Sequence, residues 1–426
     1  MLGGGTFTSQ NKKIPGTYIN FVSAAKAEGV LSERGIVAYA VNLDWGNDTE
    51  VFQISKEEFQ RNSLSLLGYE YAAEALKPFR DLFRHATRVL LYRLNPGTKA
   101  TNNYATAKYS GTRGNSLKVV IGTNPDEEDR WDVSLYLGTT LVDEQRGIAS
   151  AQNLVDNDYV VYQKDATLTQ TAGTLLAGGT NGEVTGEKHK SFLNAIEGYH
   201  YHILACDSMD EPTKEYYVAF TRRLREELGI KFQTVLFGKA ADYEGIINVK
   251  NNATLIPWVA GAQAGCGINK SITNMTYDGE LTIKDTYSQA KLEDSIEAGE
   301  FVFHKVGQEY RILVDINSKT SVTPEKGQDF KKNQTIRILD QIGNDVASIF
   351  NNKYNGKIAN DVSGRVSFWS DLVTYFKQLV SIRAIEDFDS QDVEVLPGTE
   401  KTDVIANSVI TPVSSMEKLY MTVIVQ

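Results

Sequence analysis

Residues 35–43 read GIVAYAVNL and stop abruptly at Asp44-Trp45-Gly46. A run that short and that continuously apolar offers no face to water, which predicts a strand covered on both sides, as in a parallel sheet. Similar runs recur at 88–92 (RVLLY), 201–206 (YHILAC), 232–237 (FQTVLF) and 246–249, with a short strand at 51–54. Helical spacing lies between them. Tyr71, Ala75, Leu76, Phe79 and Phe83 share a face over 69–83, where Pro78 should kink or divide the helix. An amphipathic stretch at 213–228 closes at Gly229, and a short helix near 258–264 has Pro257 at its first position. Strands alternating with helices predict an α/β layer.

That rhythm is interrupted. Residues 97–186 are rich in Thr, Gly, Asn and Val, and short strands are expected at 117–121, 131–137, 159–162 and 167–176. This is the texture of an all-β insert, a sandwich or small barrel. After the second α/β stretch, residues 301–304 and 310–315 predict a hairpin turning at Gly307. A further unit begins near residue 319. Ile336, Leu339, Ile342, Val346 and Ile349 mark a helix over 335–350. Trp369, Leu372, Phe376 and Leu379 mark another over 366–385, followed by strands at 393–396 and 404–410. The last residues, KLYMTVIVQ, form a strand pattern without a hairpin partner, while residues 1–20 offer little to a compact core. The expected division is an N-terminal arm (1–22), an α/β domain in two parts (23–96 and 187–318), an inserted β-sandwich (97–186), a C-terminal assembly domain (319–417) and a C-terminal arm strand (418–426).

Composition narrows the function. Net charge is −10, against the basic footprint of a nucleic-acid binder. No window approaches a membrane span, and the N-terminal residues lack a signal-peptide pattern. With only Cys206 and Cys266, a reducing cytoplasm without disulfides is expected. The acidic run Asp126–Asp129 reads as a solvated loop. No Gly-x-Ser-x-Gly, His-Glu-x-x-His or Gly-x-Gly-x-x-Gly motif occurs, and the glycines around Lys270 miss phosphate-loop spacing. His200 and His202 share a strand face, yet no further ligand is in register. Asp207 ends the same strand but has no marked serine to serve. The expectation is therefore no catalytic residues, no metal and no cofactor.

Several stretches occur together: Pro15-Gly16-Thr17-Tyr18-Ile19, Val41-Asn42-Leu43-Asp44-Trp45-Gly46, LLAGGTNG at 175–182 and ITPVSSMEKLYMTV at 410–423. In this order the chain resembles contractile tail sheath proteins of bacteriophages and phage-tail-like (R-type) bacteriocins, of the smaller Gram-positive prophage type. The resemblance implies a discontinuous subtilisin-like α/β domain without catalytic residues, an inserted β-sandwich, and a C-terminal α+β domain with extended arms. It also implies a homo-oligomer of stacked hexameric rings around a tail tube protein, with baseplate and tail terminator partners. Contraction from a metastable state would then drive the tube through a target cell envelope. No nucleic acid and no direct membrane insertion are implied, and assembly would take place in the bacterial cytoplasm before the subunit joins a virion tail or released particle.

Arm strands pairing between subunits would be drawn from Thr6, Phe7, Thr8, Tyr18, Ile19 and Phe21 at one end. At the other they would come from Leu419, Tyr420, Met421, Val423, Ile424 and Val425. Gly3–Gly5 and residues 398–403 are candidate links. Lys377 and Arg383, on the helix over 366–385, are candidate tube-facing cations. The rival reading is a cytoplasmic α/β hydrolase with a β insert, and a binding module displaying the sandwich is a third.

Overall fold

A computed structural model describes residues 33–425. The α/β unit opens with β1 (Ile36–Val41), β2 (Phe52–Ser55), α1 (Lys56–Leu67), α2 (Lys77–Phe83) and β3 (Arg88–Arg93). The insert carries β4 (Lys99–Thr101), β5 (Ala105–Ser110), β6 (Leu117–Thr123), β7 (Trp131–Leu137), β8 (Thr140–Ile148), β9 (Val160–Tyr162) and β10 (Thr171–Leu175). The α/β unit resumes with α3 (Gly186–Ile196), β11 (Ile203–Cys206), α4 (Glu211–Glu226), β12 (Gln233–Phe237), β13 (Ile246–Val249) and α5 (Ile256–Gly265). Then come α6 (Gln289–Glu297), β14 (Glu300–Phe301) and the hairpin β15 (Phe303–Val306) with β16 (Glu309–Ile312). The last elements are α7 (Asn333–Ile349), α8 (Val362–Ser381), β17 (Val393–Pro397) and β18 (Val404–Ser408).

The main sheet has the order β14-β13-β12-β11-β1-β3-β2, parallel except for β2 at one edge. Alternation along β1 explains its unbroken hydrophobicity. Val37, Tyr39 and Val41 pack with α2 and α5, whereas Ala38 and Ala40 pack with α3 and α4. Helix α5 is buried on every side, and a Cβ at Gly261 would stand 2.2 Å from the Leu82 carbonyl oxygen. Glycine there lets α5 lie against α2.

Two helix readings change. The helix expected over 69–83 begins only at Lys77, because Pro78 occupies its first turn. The first helix among the described residues is α1, announced by a capping box: Ser55 accepts from the Glu58 N–H, and Glu58 accepts from the Ser55 N–H at 2.8 Å. Likewise the second C-terminal helix spans 362–381 rather than 366–385. The insert also holds three strands beyond the four expected, namely β4, β5 and β8. It forms a four-stranded sheet, β10-β6-β7-β8, packed against a three-stranded one, β4-β5-β9.

The insert leaves and rejoins the sheet through two strands of backbone side by side. The Gly182 N–H donates to the Asn95 carbonyl at 3.0 Å, and a Cβ at Gly182 would sit 2.3 Å from the Pro96 carbonyl oxygen. This close approach gives the glycines of LLAGGTNG a physical reason. Trp45, fully buried, crosses from the α/β unit into the sandwich core, stacks near Tyr159 and donates its indole N–H to the Ser65 carbonyl.

The C-terminal unit meets the α/β unit through α7. Its apolar positions turn towards α8, with Ile338 and Ile349 buried there. Its polar face is buried too, carrying Asn333, Arg337, Asp340 and Asp345. Arg337 and Asp315 pair at 3.0 Å with side chains 1% exposed, and Arg225 grips Asp340 through two bonds of 2.6 and 2.7 Å. Arg337→Met leaves the Asp315 carboxylate without its cation in a dry site. We expect it to lower unfolding stability by about 3–5 kcal/mol in urea titrations. Lys77→Ala, which removes the pair between the half-buried Lys77 and the exposed Glu74, should cost less than about 1 kcal/mol.

Candidate functional site

Two regions merit chemical examination: the crevice where an α/β sheet ordinarily binds ligands, and the exposed end of the chain. Strand β1 lies between β3 and β11, so successive crossovers run in opposite directions from it. A crevice opens at the carboxyl ends of strands at such a switch point. Here it is a cleft of 570 Å³ lined by Tyr39, Asn42, Asp44, Tyr69, His189 and Asp207, among others.

Its polar groups are mostly engaged with one another. The Tyr39 hydroxyl donates to Asp207 at 2.7 Å and the Tyr69 hydroxyl to Asp44 at 2.5 Å. Burial and the Asp44 bond push the Tyr69 phenol up to about 12, so it stays a donor. His189 Nδ1 shares a hydrogen bond of 2.8 Å with the Tyr217 hydroxyl, and burial lowers the imidazole's pKa, favouring the neutral form. Burial likewise pushes the Cys206 thiol up to about 12, which suits a packed thiol rather than a nucleophile. His200 and His202, whose rings stand 4.9 Å apart, precede the opposite end of β11 from Asp207. The four residues of β11 separate His202 from Asp207, five steps of strand or roughly 16 Å, so no Ser-His-Asp set forms around them. Among the described residues no His, Cys, Asp and Glu group has metal-site geometry.

The C-terminal unit presents a different arrangement. β17 and β18 form an antiparallel hairpin from Val393↔Ser408 to Pro397↔Val404. Among the described residues this sheet contains only those two strands. Trp369 anchors it to α8, donating its indole N–H to the Val393 carbonyl at 3.0 Å. Residues 398–403, read from sequence as a flexible link, are instead the hairpin's turn, closed by the Gly398 N–H to the Asp403 carbonyl.

Beyond the hairpin the chain is tied down as far as Glu417. The Val413 N–H donates to the Ala384 carbonyl, and the Ser415 N–H and hydroxyl both donate to Gln334 Oε1. Thr273 donates to Glu417 at 2.9 Å, and Lys332 pairs with the same carboxylate. Among the described residues the ties then stop. Leu419, Tyr420, Met421, Val423, Ile424 and Val425 are all exposed, Tyr420 and Val425 at 88%. Among the described residues, 418–425 belong to no sheet, so the expected terminal strand has no ladder there. Six large apolar side chains within seven residues, left in water on a backbone unpaired among the described residues, are an unmet pairing surface.

Thr6, Phe7, Thr8, Tyr18, Ile19 and Phe21 lie outside the described residues, as do Gly3–Gly5. Lys377 is exposed on α8. Arg383 is also exposed, but it lies past the helix end in a left-handed conformation (φ 59°), so it does not share a helical face with Lys377. The anchors Gln334 and Glu417 escaped sequence reading because their partners are 81 and 144 residues distant in the chain.

A mixed α/β chain with an inserted β-sandwich and an exposed, unpaired apolar end has the build of a component of a larger assembly. Comparison with known proteins gives that class a name. Four phage tail sheath models match in succession: the Gp18 domain III N-terminal region at 34–94, the β-sandwich domain at 95–181, the central domain at 182–318 and the C-terminal domain at 325–426. The crystal structure of a sheath tail protein from Desulfitobacterium hafniense superposes with a TM-score of 0.83 at 36% identity, covering 95% of this chain and 99% of that one. XkdK, a protein of the phage-like element PBSX of Bacillus subtilis (strain 168), is 30% identical over 99% of both chains. The PVC sheath complex of an extracellular contractile injection system, in its contracted state, shares the fold at 9% identity and a TM-score of 0.56, over 97% of this chain and 98% of that one. The chain belongs to the phage tail sheath protein family. These findings give the hydrolase reading no support.

The anchoring of the C-terminal segment yields a direct test. Glu417→Ala removes both side-chain ties at its root. Limited proteolysis should then cut within 413–417 faster, while the thermal midpoint moves by no more than about 1 kcal/mol would require. An unchanged cleavage rate would mean that Glu417 does not hold the segment.

Proposed function

We propose that this chain is a structural, non-enzymatic sheath subunit that polymerises around a tail tube and contracts to drive the tube through a target cell envelope. The observation that carries this reading is the exposed apolar segment 419–425, without a partner among the described residues, in a C-terminal unit that also presents a two-stranded hairpin. A hairpin of two strands is marginal alone and gains stability when further strands extend it. The proposed partners are the arms of neighbouring subunits: residues 419–425 from one copy, and the stretch containing Thr6–Thr8 or Tyr18–Phe21 from another. The domain division at 22, 96, 186, 318 and 417 belongs to the same proposal, as does the likeness of the α/β domain to subtilisin.

In this reading copies stack as hexameric rings. A head-to-tail contact that does not close on itself propagates as a helix. The arms keep subunits joined while their bodies rotate, and the energy comes from a metastable extended state relaxing to a contracted one. A sheath neighbour of the same fold is described in a contracted state, which supports this part. Lys377 and Arg383 are proposed to face the tube from separate positions on the C-terminal unit. Tube, baseplate and terminator proteins are the proposed partners, with assembly in the bacterial cytoplasm before incorporation into a phage tail or related particle.

Electron microscopy of the purified protein tests the reading, with hollow helical tubes or rings expected. Deleting 419–426 should leave a protomer with unchanged circular dichroism that no longer forms them, and deleting 1–16 should do the same. Normal tubes from either truncated protein would sink the arm mechanism, whereas a monomer at every concentration would sink the assembly reading itself.

A further inference from the structure

Asparagine followed by glycine occurs twice in the chain, at 181–182 and at 355–356. Glycine has no side chain to shield its amide nitrogen, so that nitrogen can attack the side-chain amide of the asparagine before it. Whether it does depends on how firmly the fold holds the two groups. Both asparagines are exposed, so access to water does not separate them.

Their hydrogen bonds do. At the first site the Gly182 N–H is committed to the Asn95 carbonyl at 3.0 Å, in the paired backbone where the insert rejoins the sheet. Asn181 Oδ1 accepts from the Thr112 N–H at 3.2 Å and from Arg93 at 3.4 Å. Attack there has to undo these bonds first. At the second site the chain leaves α7 through a π-helical turn (Phe350–Tyr354) and enters the connection to α8. The Gly356 N–H donates to no group among the described residues. Gly356 is left-handed (φ 70°), with open space where a Cβ would stand. The Asn355 side chain makes one hydrogen bond among the described residues, from Nδ2 to Asn351 Oδ1 at 3.3 Å. An exposed turn with so few ties opens at little cost.

We infer that Asn355 is a site of spontaneous deamidation, modified by its own backbone, and that the fold protects Asn181. The Gly356 nitrogen, its proton lost to solvent, bonds to Asn355 Cγ. The Cγ–Nδ2 bond breaks, ammonia leaves and a succinimide ring closes. Water then adds to either ring carbonyl and opens it, giving aspartate or isoaspartate. The net change exchanges an NH2 for an OH, with nothing oxidised or reduced. The new carboxyl is ionised at neutral pH, and isoaspartate also inserts a methylene into the main chain. Both changes fall on a crevice of 430 Å³ that Asn355 and Gly356 line together with Lys401 and Thr402 of the hairpin's turn. Asn360, in the same connection, donates to the Lys401 and Asp403 carbonyls at 3.0 and 2.8 Å. Age therefore alters charge and chain length beside the β17–β18 hairpin, whatever that hairpin pairs with.

The test incubates the full-length protein at neutral pH and follows peptides covering both sites by mass spectrometry. Labelling by an isoaspartyl methyltransferase is the second readout. Conversion at Asn355 should run at least about tenfold faster than at Asn181, whose opening costs its hydrogen bonds. It should accelerate as pH rises, because the attacking nitrogen must shed its proton. In concentrated guanidinium the two sites should react at similar rates, since only the fold distinguishes them. Asn355→Gln, at an exposed position, should leave circular dichroism unchanged and remove most of the methyltransferase labelling. An Asn355 that stays intact in the folded protein while the unfolded chain reacts there overturns the proposal. So does an Asn181 that reacts as fast as Asn355 in the folded protein, or labelling that Asn355→Gln leaves undiminished.

Discussion

The carboxylate of Asp315 accepts from four donors at once. Gln263 and Asn333 donate to Oδ1 at 2.7 and 2.8 Å, while Arg337 and the Ile272 N–H donate to Oδ2 at 3.0 and 3.3 Å. All its lone-pair directions are thereby used, which is what a buried charge requires. Those donors come from α5, α7 and the segment after α5, so one carboxylate fastens the C-terminal unit to the α/β unit. Gln233 of β12 extends the seam by donating to Asn333, and Arg225 of α4 adds a second ion pair to α7. Apolar packing would have joined the units with less directional demand. A seam of charge-assisted bonds loses far more if it slips, because each misplaced group is left buried and unpaired.

The seam also reaches the exposed end of the chain. The Asp315 N–H donates to Thr273 Oγ1 at 2.9 Å, and that hydroxyl donates in turn to Glu417. One side chain thus lies between the buried pair and the last anchored residue before the unpaired segment. A pull on residues 418–425 is delivered to the junction of both units rather than to the loosely packed hairpin.

Legibility in the sequence followed the range of the interaction. β1, β3, β12 and β13 were readable because burial on both faces needs an apolar run and nothing else. The α7 helix was readable from Ile336, Ile342 and Val346, yet those residues say nothing of the opposite face, where Arg337 and Asp340 look like solvated charges until Asp315 and Arg225 arrive from afar. Helix α1 was missed although Ser55 and Glu58 signalled it locally, because its apolar stripe is weak beside its polar residues. Strands β4 and β5 were missed because Lys, Thr and Ala alternate in them, and only sandwich packing buries Ala100, Ala105 and Ala107. Of the candidate assembly residues, the unpaired apolar end was plain in KLYMTVIVQ. Its anchors were not, since Gln334 and Thr273 carry no local mark of their partners.

That contrast bears on how a strand of this kind could serve a moving assembly. In the proposed polymer the terminal segment pairs with a neighbour's sheet through backbone hydrogen bonds, each worth roughly 1 kcal/mol net. These bonds depend on register along the strand and tolerate rotation of the bodies at either end. The bodies themselves must then be stiff, or rotation would be absorbed by internal slippage and no thrust would reach the tube. The Asp315 seam supplies that stiffness between the two units that flank the arm's root. A subunit built this way separates its two mechanical tasks by chemistry: directional, fully satisfied charge inside, and repetitive backbone pairing outside.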